Sequence, residues 1–205
     1  MTHPTQVRRR NRHPIWVWLG SATATILILL GVALAWRHYE TPVFPTNYHP
    51  VGLQSGKPTS LIRGRRLTVV MLMASWCLYC AYEDKYVWPR VLRRFPGVAI
   101  DVVDVSPKGG IGNPGPETPP FTGVDGRGPA IRVAGMRATM LTYEKQFNLR
   151  TKRVRIFVDA RGMEYWRVTN FPTLLFVNHN GRIVKRVDGA LTTNQIVSLL
   201  NHLQR

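Results

Sequence analysis

The stretch LTVVMLMASWCLYC, residues 67–80, decides the fold. Its first seven residues are apolar or β-branched and predict a buried β-strand. Residues 77–95 predict a helix with a kink at Pro89, because proline cannot continue the hydrogen-bond ladder of a helix. The chain's two cysteines, Cys77 and Cys80, therefore lie where a strand passes into a helix.

The placement of Cys77 and Cys80 favours redox chemistry. A cysteine at a helix N-terminus faces unpaired N–H groups and the positive end of the helix dipole, and both stabilise its thiolate. We expect Cys77 to be the exposed nucleophile and Cys80, one turn further on, to be the buried resolving thiol. Two alternatives remain open. The first is metal ligation, although the six histidines offer no compact partner pair. The second is a structural disulfide, which across so short a loop would constrain the unfolded chain little.

The remaining pattern predicts a mixed α/β sheet covered by helices. Strands are expected at 98–105, 153–158, 174–178 and 182–187, and helices at 137–149 and from Thr192 or Thr193 onward. Residues 106–129 form a loop rich in Gly and Pro, longer than a compact domain usually tolerates without a functional or flexible role. Residues 37–59 hold several prolines and turn formers and indicate a linker. The folded domain is therefore expected at 60–205.

The N-terminal segment indicates export. Residues 15–36 carry no charge, and a helix rising about 1.5 Å per residue would let them cross a hydrocarbon core of about 30 Å. Four arginines lie between positions 8 and 12, so the positive-inside rule keeps residues 1–14 in the cytoplasm. We expect a single-pass signal-anchor in the inner membrane, with the rest of the chain in the periplasm or extracytoplasmic space. A signal peptide cleaved after Ala35 and a buried core helix are the alternatives.

The net charge is +17, from 28 Lys and Arg against 11 Asp and Glu in 205 residues. Without the four N-terminal arginines, the other 24 basic residues still exceed the 11 acidic ones by 13, so the whole chain is basic. The basic residues are scattered along the sequence, and export argues against a nucleic-acid partner. Attraction to an anionic lipid surface is the favoured consequence of this charge.

Two motifs in the right order resemble the thioredoxin superfamily. The first is WCLYC at 76–80 after a strand, and the second is VTNFPTLLFV at 168–177, which is similar to the family's cis-proline loop and following strand. The resemblance covers residues 60–205 and implies a thioredoxin-like α/β fold, a mixed sheet flanked by helices. The chain looks most like the membrane-anchored extracytoplasmic TlpA/ResA-type proteins. Those carry an αβ insertion before the cis-proline, for which the helix near Tyr143 and the strand at 155–158 are candidates.

The resemblance implies a catalytic pair and supporting residues, namely Cys77, Cys80, Trp76, Phe171, Pro172 and Glu83. Trp76 would pack over the site, and the backbone beside Pro172 would pair with a substrate strand while Phe171 shapes substrate choice. Glu83 would tune thiol acidity or relay protons, the alternative being a solvated helix residue.

The sequence also departs from the family pattern. Leu-Tyr separates the cysteines, Met71 stands where thioredoxin has a buried acid, Lys85 replaces a helix proline, and the loop at 106–129 has no assigned counterpart. These departures bear on the direction of electron flow.

These features predict a membrane-tethered enzyme that exchanges thiols and disulfides with protein substrates and uses neither a cofactor nor a metal. A reductase is favoured, with cytochrome c maturation as one process that it would serve and a membrane redox partner that recharges it. The alternatives are an envelope disulfide oxidase or isomerase, and a non-catalytic thioredoxin-fold assembly factor.

Overall fold

The structure is a computed structural model that describes residues 42–61, 66–118 and 122–204. The expectations for residues 1–14 and 15–36 lie outside these ranges. Within the described ranges, none of the helices has the length and apolar character needed to cross a membrane.

A six-stranded mixed sheet lies at the centre of the domain. Its strands are β1 (Val51–Gly52), β2 (Leu67–Met73), β3 (Val98–Asp104), β4 (Val154–Val158), β5 (Thr173–Asn178) and β6 (Ile183–Asp188). Their order is β1-β4-β3-β2-β5-β6. Strands β2, β3 and β4 run parallel, whereas β1, β5 and β6 pair antiparallel with their neighbours. Strand β2 is buried along its whole length, which explains why its sequence is continuously apolar instead of alternating.

The helices are α1 (Leu78–Tyr82), α2 (Trp88–Arg94), α3 (Val133–Gln146), α4 (Gly162–Tyr165) and α5 (Thr193–Leu203). The single helix predicted at 77–95 is divided by a π-helical turn, Glu83–Val87, in which the N–H of Trp88 donates to the carbonyl of Glu83. Because Pro89 has no N–H to donate, the hydrogen-bond ladder changes register just before it. The predicted kink is therefore a π-turn that separates α1 from α2.

The boundaries of the later elements follow the predicted order with small shifts. Helix α3 begins at Val133, earlier than the predicted 137, and the short helix α4, which was not predicted, follows strand β4. The last helix begins where the sequence predicts it, with Thr192 as the N-cap of α5. The hydroxyl of Thr192 accepts from the Gln195 N–H, and the Gln195 side chain accepts from the Thr192 N–H. The expected helix and strand before the cis-proline are present as α3 and β4.

The linker expected at 37–59 is wrong for its described residues, because the lead-in packs on the sheet. Phe44, Tyr48 and Leu61 are buried against the face of the sheet that carries Val70 and Leu72. Helices α1, α2, α3 and α5 supply buried residues to the cluster on the opposite face. The prolines of the lead-in end regular structure, but its aromatic residues still bury apolar surface.

The described residues of the Gly/Pro-rich segment, 106–118 and 122–130, form a bridged structure that we call the arm. Isolated bridges join Lys108 to Ala130 and Asn113 to Val124. The backbone passes so closely that a Cβ on Gly110 would lie 1.7 Å from the carbonyl oxygen of Gly126. The glycines therefore allow the two halves of the arm to approach each other, and the segment that lacks any sequence periodicity is held by its own backbone hydrogen bonds.

Candidate active site

Cys77 and Cys80 lie at the start of helix α1, directly after strand β2. Cys77 is the N-cap residue of α1, and both cysteines are free thiols. Cys80 is fully buried, as expected, but Cys77 is also only 4% exposed. The expectation of an exposed Cys77 is therefore wrong, because neighbouring segments cover all but a small part of this residue at the bottom of a groove.

The two thiols differ in acidity. A hydrogen bond from Cys80 lowers the pKa of Cys77, and backbone N–H groups of Cys80 and Tyr79 add to this, while burial and the Asp125 carboxylate oppose it. Burial raises the pKa of Cys80 well above its ordinary value, and the neighbouring Cys77 raises it further. Cys77 is thus the thiol that ionises first, and Cys80 stays protonated until a partner accepts its proton.

The predicted cis-proline loop lies beside Cys77. The peptide bond between Phe171 and Pro172 is cis, as the resemblance implied. The sulfur of Cys77 lies 3.8 Å from the carbonyl oxygen of Phe171. The Phe171 and Trp76 rings meet edge to face, with centroids 5.7 Å apart. Two segments that are far apart in sequence therefore meet at the reactive sulfur.

Trp76 is held in place from both sides. Its indole N–H donates to the hydroxyl oxygen of Ser106 at 2.9 Å, and the N–H of Ser106 donates to the carboxylate of Asp104 at 3.1 Å. The guanidinium of Arg127 lies 3.9 Å from the centroid of the Trp76 ring, within cation–π distance. Trp76 consequently links the end of β3 to the arm.

The arm contacts the cysteine motif directly. The N–H of Gly112 donates to the Ser75 carbonyl at 2.9 Å, and the N–H of Gly126 donates to the Trp76 carbonyl at 2.8 Å. A carboxylate oxygen of Asp125 accepts from the Leu78 N–H at 2.9 Å. Asp125 therefore occupies one of the free N–H groups at the N-terminus of α1.

The far end of the arm is fixed to the helices behind the site. The hydroxyl of Tyr86 donates to the Gly115 carbonyl at 2.9 Å, and the guanidinium of Arg90 pairs with both carboxylate oxygens of Glu117. Residues 119–121 between the two halves lie outside the described ranges. The loop that sequence reasoning could not assign is thus part of the site.

Two consecutive buried carboxyl groups follow the cysteines. Glu83 is fully buried, so the alternative of a solvated residue is wrong, and it accepts from the Leu191 N–H at 2.6 Å. Burial raises the pKa of Glu83 to about 8. The neighbouring Asp84 accepts from the hydroxyl of Tyr143 at 2.8 Å, and burial raises its pKa to about 7. The charge of Asp84 raises the pKa of Cys80, and the charge of Cys77 raises the pKa of Glu83.

The structure brings Cys77, Cys80, Trp76, Phe171, Pro172 and Glu83 into one region and adds residues that sequence reasoning missed. These are Asp84, Asp104, Asp125 and Arg127. Asp84 could have been identified from the sequence, because it stands four positions after Cys80 on the same helix face. No sequence feature indicates Asp125 or Arg127, since their positions depend on the path of the arm. Met71, in contrast, is a fully buried core residue.

Comparison with known proteins agrees with this geometry. A family model described as a thioredoxin-like domain matches residues 59–204. No curated protein matches the sequence.

Similar solved structures include three of low sequence identity. A secreted Mycobacterium tuberculosis disulfide oxidoreductase homologous to Escherichia coli DsbE is 15% identical, with a TM-score of 0.50 over 77% of this chain and 96% of that one. StoA from Bacillus subtilis is 17% identical, with a TM-score of 0.50 over 78% and 99%. A thioredoxin-like protein from Aeropyrum pernix is 10% identical, with a TM-score of 0.54 over 87% and 99%. With a family model matching most of its length and both motifs placed as the fold requires, the chain belongs to the thioredoxin-like domain family.

Proposed function

We propose that the chain is a membrane-tethered, extracytoplasmic thiol–disulfide oxidoreductase that reduces protein disulfides. The observation that carries the proposal is the pair of unlike thiols at the start of α1. Cys77 has a lowered pKa and lies next to the carbonyl of Phe171, and Cys80 is buried with a raised pKa. That difference is what a nucleophile and a resolving thiol require.

The reaction proceeds in two exchanges. The Cys77 thiolate attacks one sulfur of a substrate disulfide, so that a mixed disulfide forms and one substrate thiolate leaves. Cys80 then loses its proton and attacks the Cys77 sulfur. The second substrate thiolate leaves, and a Cys77–Cys80 disulfide remains. The substrate gains two electrons and the pair loses them, and a membrane redox partner returns them in the next cycle.

The direction of electron flow follows from how strongly the Cys77 thiolate is stabilised. Burial and the Asp125 carboxylate both oppose the lowering of the Cys77 pKa. The net pKa of Cys77 is lowered, but these two effects limit the stabilisation of its thiolate. A less stabilised thiolate makes the reduced form less favoured and the pair less oxidising, so the two effects support a reductase. We expect a potential nearer to roughly −270 mV, as in thioredoxin, than to the −120 to −180 mV range of strong oxidants and isomerases.

The test is a disulfide-exchange assay with single-cysteine variants. We expect Cys77→Ser to abolish exchange, and Cys80→Ser to accumulate a mixed disulfide on Cys77 that mass spectrometry detects. A potential in the oxidant range would favour the oxidase or isomerase. Absence of exchange in the unaltered protein would contradict the proposal and favour a non-catalytic assembly factor.

The tether is supported by the uncharged segment at 15–36 after the arginine cluster at 8–12. A periplasm-active reporter fused after Arg205 should be active, and the fusion should sediment with membranes. Activity of a cytoplasmic reporter alone would overturn the proposed location. Release of soluble protein beginning at Trp36 would show cleavage instead of anchoring. Attraction of the basic domain to anionic lipid is part of this proposal.

A further inference from the structure

A groove of about 520 Å³ that Cys77 lines lies between the arm and the cis-proline loop. Trp76 and Cys77 lie at its base, and residues of the cis-proline loop, 168–171, line one side. The arm lines the other side with Lys108, Asp125 and Arg127. A substrate segment that delivers its disulfide to Cys77 must therefore pass between these two sides.

The charges of this groove all come from the arm. Lys108 and Arg127 are exposed, and neither pairs with a carboxylate in the part of the chain that the structure describes. Asp125 contributes the groove's carboxylate, and one of its oxygens is already occupied by the Leu78 N–H. The opposite side, at 168–171, is uncharged. The groove that Cys77 lines consequently presents two cations that pair with no carboxylate of the described residues.

Arg127 is held in a position suited to a carboxylate. Its guanidinium carbon lies 3.9 Å from the centroid of the Trp76 ring, and a cation–π contact of this kind uses none of the five guanidinium N–H donors in a hydrogen bond to an oxygen. Two parallel N–H groups of a guanidinium match the two oxygens of a carboxylate. A substrate carboxylate at this point would lie beside Trp76, one residue from Cys77.

We infer that the arm selects disulfide-bearing segments that carry Asp or Glu beside the reacting cysteine. This inference rests on the proposed function and names the substrate class of the same site. The substrate's carboxylates lie against Arg127 and Lys108 while its disulfide reaches Cys77. The cations act on encounter and orientation, and the thiol chemistry is left unchanged.

Three synthetic peptides test the inference. Each contains one internal disulfide, and they differ only in the residues that flank the cysteines, which are Asp, Asn or Lys. The rate constant of mixed-disulfide formation is measured with the full-length reduced chain in a non-ionic detergent, by the change in tryptophan fluorescence. We expect the Asp peptide to react about ten-fold faster than the Asn peptide at low salt. The advantage should shrink toward unity near 1 M salt, where screening is strong.

Two double variants separate the groove from the overall charge. Lys108→Gln with Arg127→Gln should bring the ratio of Asp to Asn rates close to one. The control variant, Lys145→Gln with Arg150→Gln, removes the same charge from exposed residues outside the groove. Its ratio of Asp to Asn rates should equal that of the unaltered protein. The rate with an uncharged small disulfide, 2-hydroxyethyl disulfide, is measured for all three proteins, and each peptide rate is divided by it, so that any change in the thiol chemistry itself cancels from the ratio.

The outcomes distinguish this inference from the proposed function. Equal rates for the three peptides, or a preference that survives in the groove variant, would overturn the inference while exchange itself remains. Loss of the preference in the control variant would show an effect of net charge and would also overturn it. A protein that reacts with none of the disulfides would refute the proposed function, and the inference would fail with it.

Discussion

The carboxylate of Asp125 and the thiol of Cys77 share the N-terminal end of helix α1. Asp125 accepts from the Leu78 N–H, and its charge raises the pKa of Cys77 against the hydrogen bonds that lower it. One side chain of the arm therefore acts on the acidity of the nucleophile, although 47 sequence positions separate it from the helix residue that it caps.

We predict that Asp125→Asn lowers the pKa of Cys77, because the neutral amide can still accept from Leu78 but no longer repels a thiolate. The pair should also become more oxidising. The pH dependence of alkylation of Cys77 measures the first effect. The control is Glu164→Gln, which removes an exposed carboxylate on α4 and should leave the pH dependence of Cys77 alkylation unchanged. An unchanged profile in Asp125→Asn would show that the arm does not influence the thiol.

The buried carboxyl groups Asp84 and Glu83 are two candidates for accepting the proton of Cys80. Asp84 stands four residues after Cys80, its charge acts on that thiol, and Tyr143 holds it by a hydrogen bond. We predict that Asp84→Asn slows the second exchange about 10²-fold, the lower end of the usual range of general-base effects. Glu83→Gln, its matched control, should slow the same step less than about three-fold. Rapid-quench kinetics measure the decay of the mixed disulfide in both variants. If Glu83→Gln slows this decay more than Asp84→Asn does, Glu83 is the proton acceptor.

At the scale of elements, the arm and the cysteine motif behave as one unit. Backbone donors of Gly112 and Gly126 reach the carbonyls of Ser75 and Trp76. A Cβ on Gly112 would lie 2.6 Å from the carbonyl carbon and oxygen of Cys77. The arm can rest on the motif only because this position has no side chain.

We predict that Gly112→Ala destabilises the protein by about 1–3 kcal/mol, the usual cost of inserting a methyl group into a close contact. It should also speed alkylation of Cys77, because the arm is displaced from it. Thermal unfolding and iodoacetamide kinetics measure the two effects. Gly97→Ala is the control, since the nearest atoms to its Cβ lie at 3.8 Å. If Gly112→Ala matches this control in both measurements, the arm does not rest on Cys77 in solution.

At the scale of the molecule, three buried carboxyl groups link folding to pH. Burial raises the pKa of Glu83 to about 8, and those of Asp84 and Asp104 to about 7. The unfolded chain has ordinary values near 4. Between these values the folded state binds more protons than the unfolded state, so the free energy of unfolding falls as pH rises.

We predict that the free energy of unfolding is greatest near about pH 4 to 5 and decreases toward pH 8, because each of these groups binds its proton more tightly in the folded state than in the unfolded state. Urea unfolding of the Cys77→Ser, Cys80→Ser double variant measures this without thiol titration. Adding Asp104→Asn to this double variant should make the decrease in the free energy of unfolding with rising pH smaller. A stability that rises from pH 5 to 8 would contradict the raised pKa values.

The centre of the sheet could be predicted because β2, β3 and β5 are predominantly apolar, buried runs. The start of α1 could be predicted because a strand ends at the cysteine motif. The lead-in was missed because the prolines near Phe44 and Tyr48 concealed the burial of these aromatic residues. The contacts of the arm were missed for a different reason. They are made by backbone N–H groups of glycine, and neither periodicity nor residue type indicates which carbonyl such a group will reach.

Some positions of the arm can be substituted during evolution, whereas those occupied by its closely packed glycines cannot. A side chain on Gly110 or Gly126 would overlap backbone atoms at 2.0 Å or less, so these positions are closed to every other residue. Lys108, Val124 and Arg127 are exposed and do not supply the backbone donors that reach the motif. During evolution, substitutions at the exposed positions of the arm can therefore change which substrates bind, while Cys77 and Cys80 stay the same.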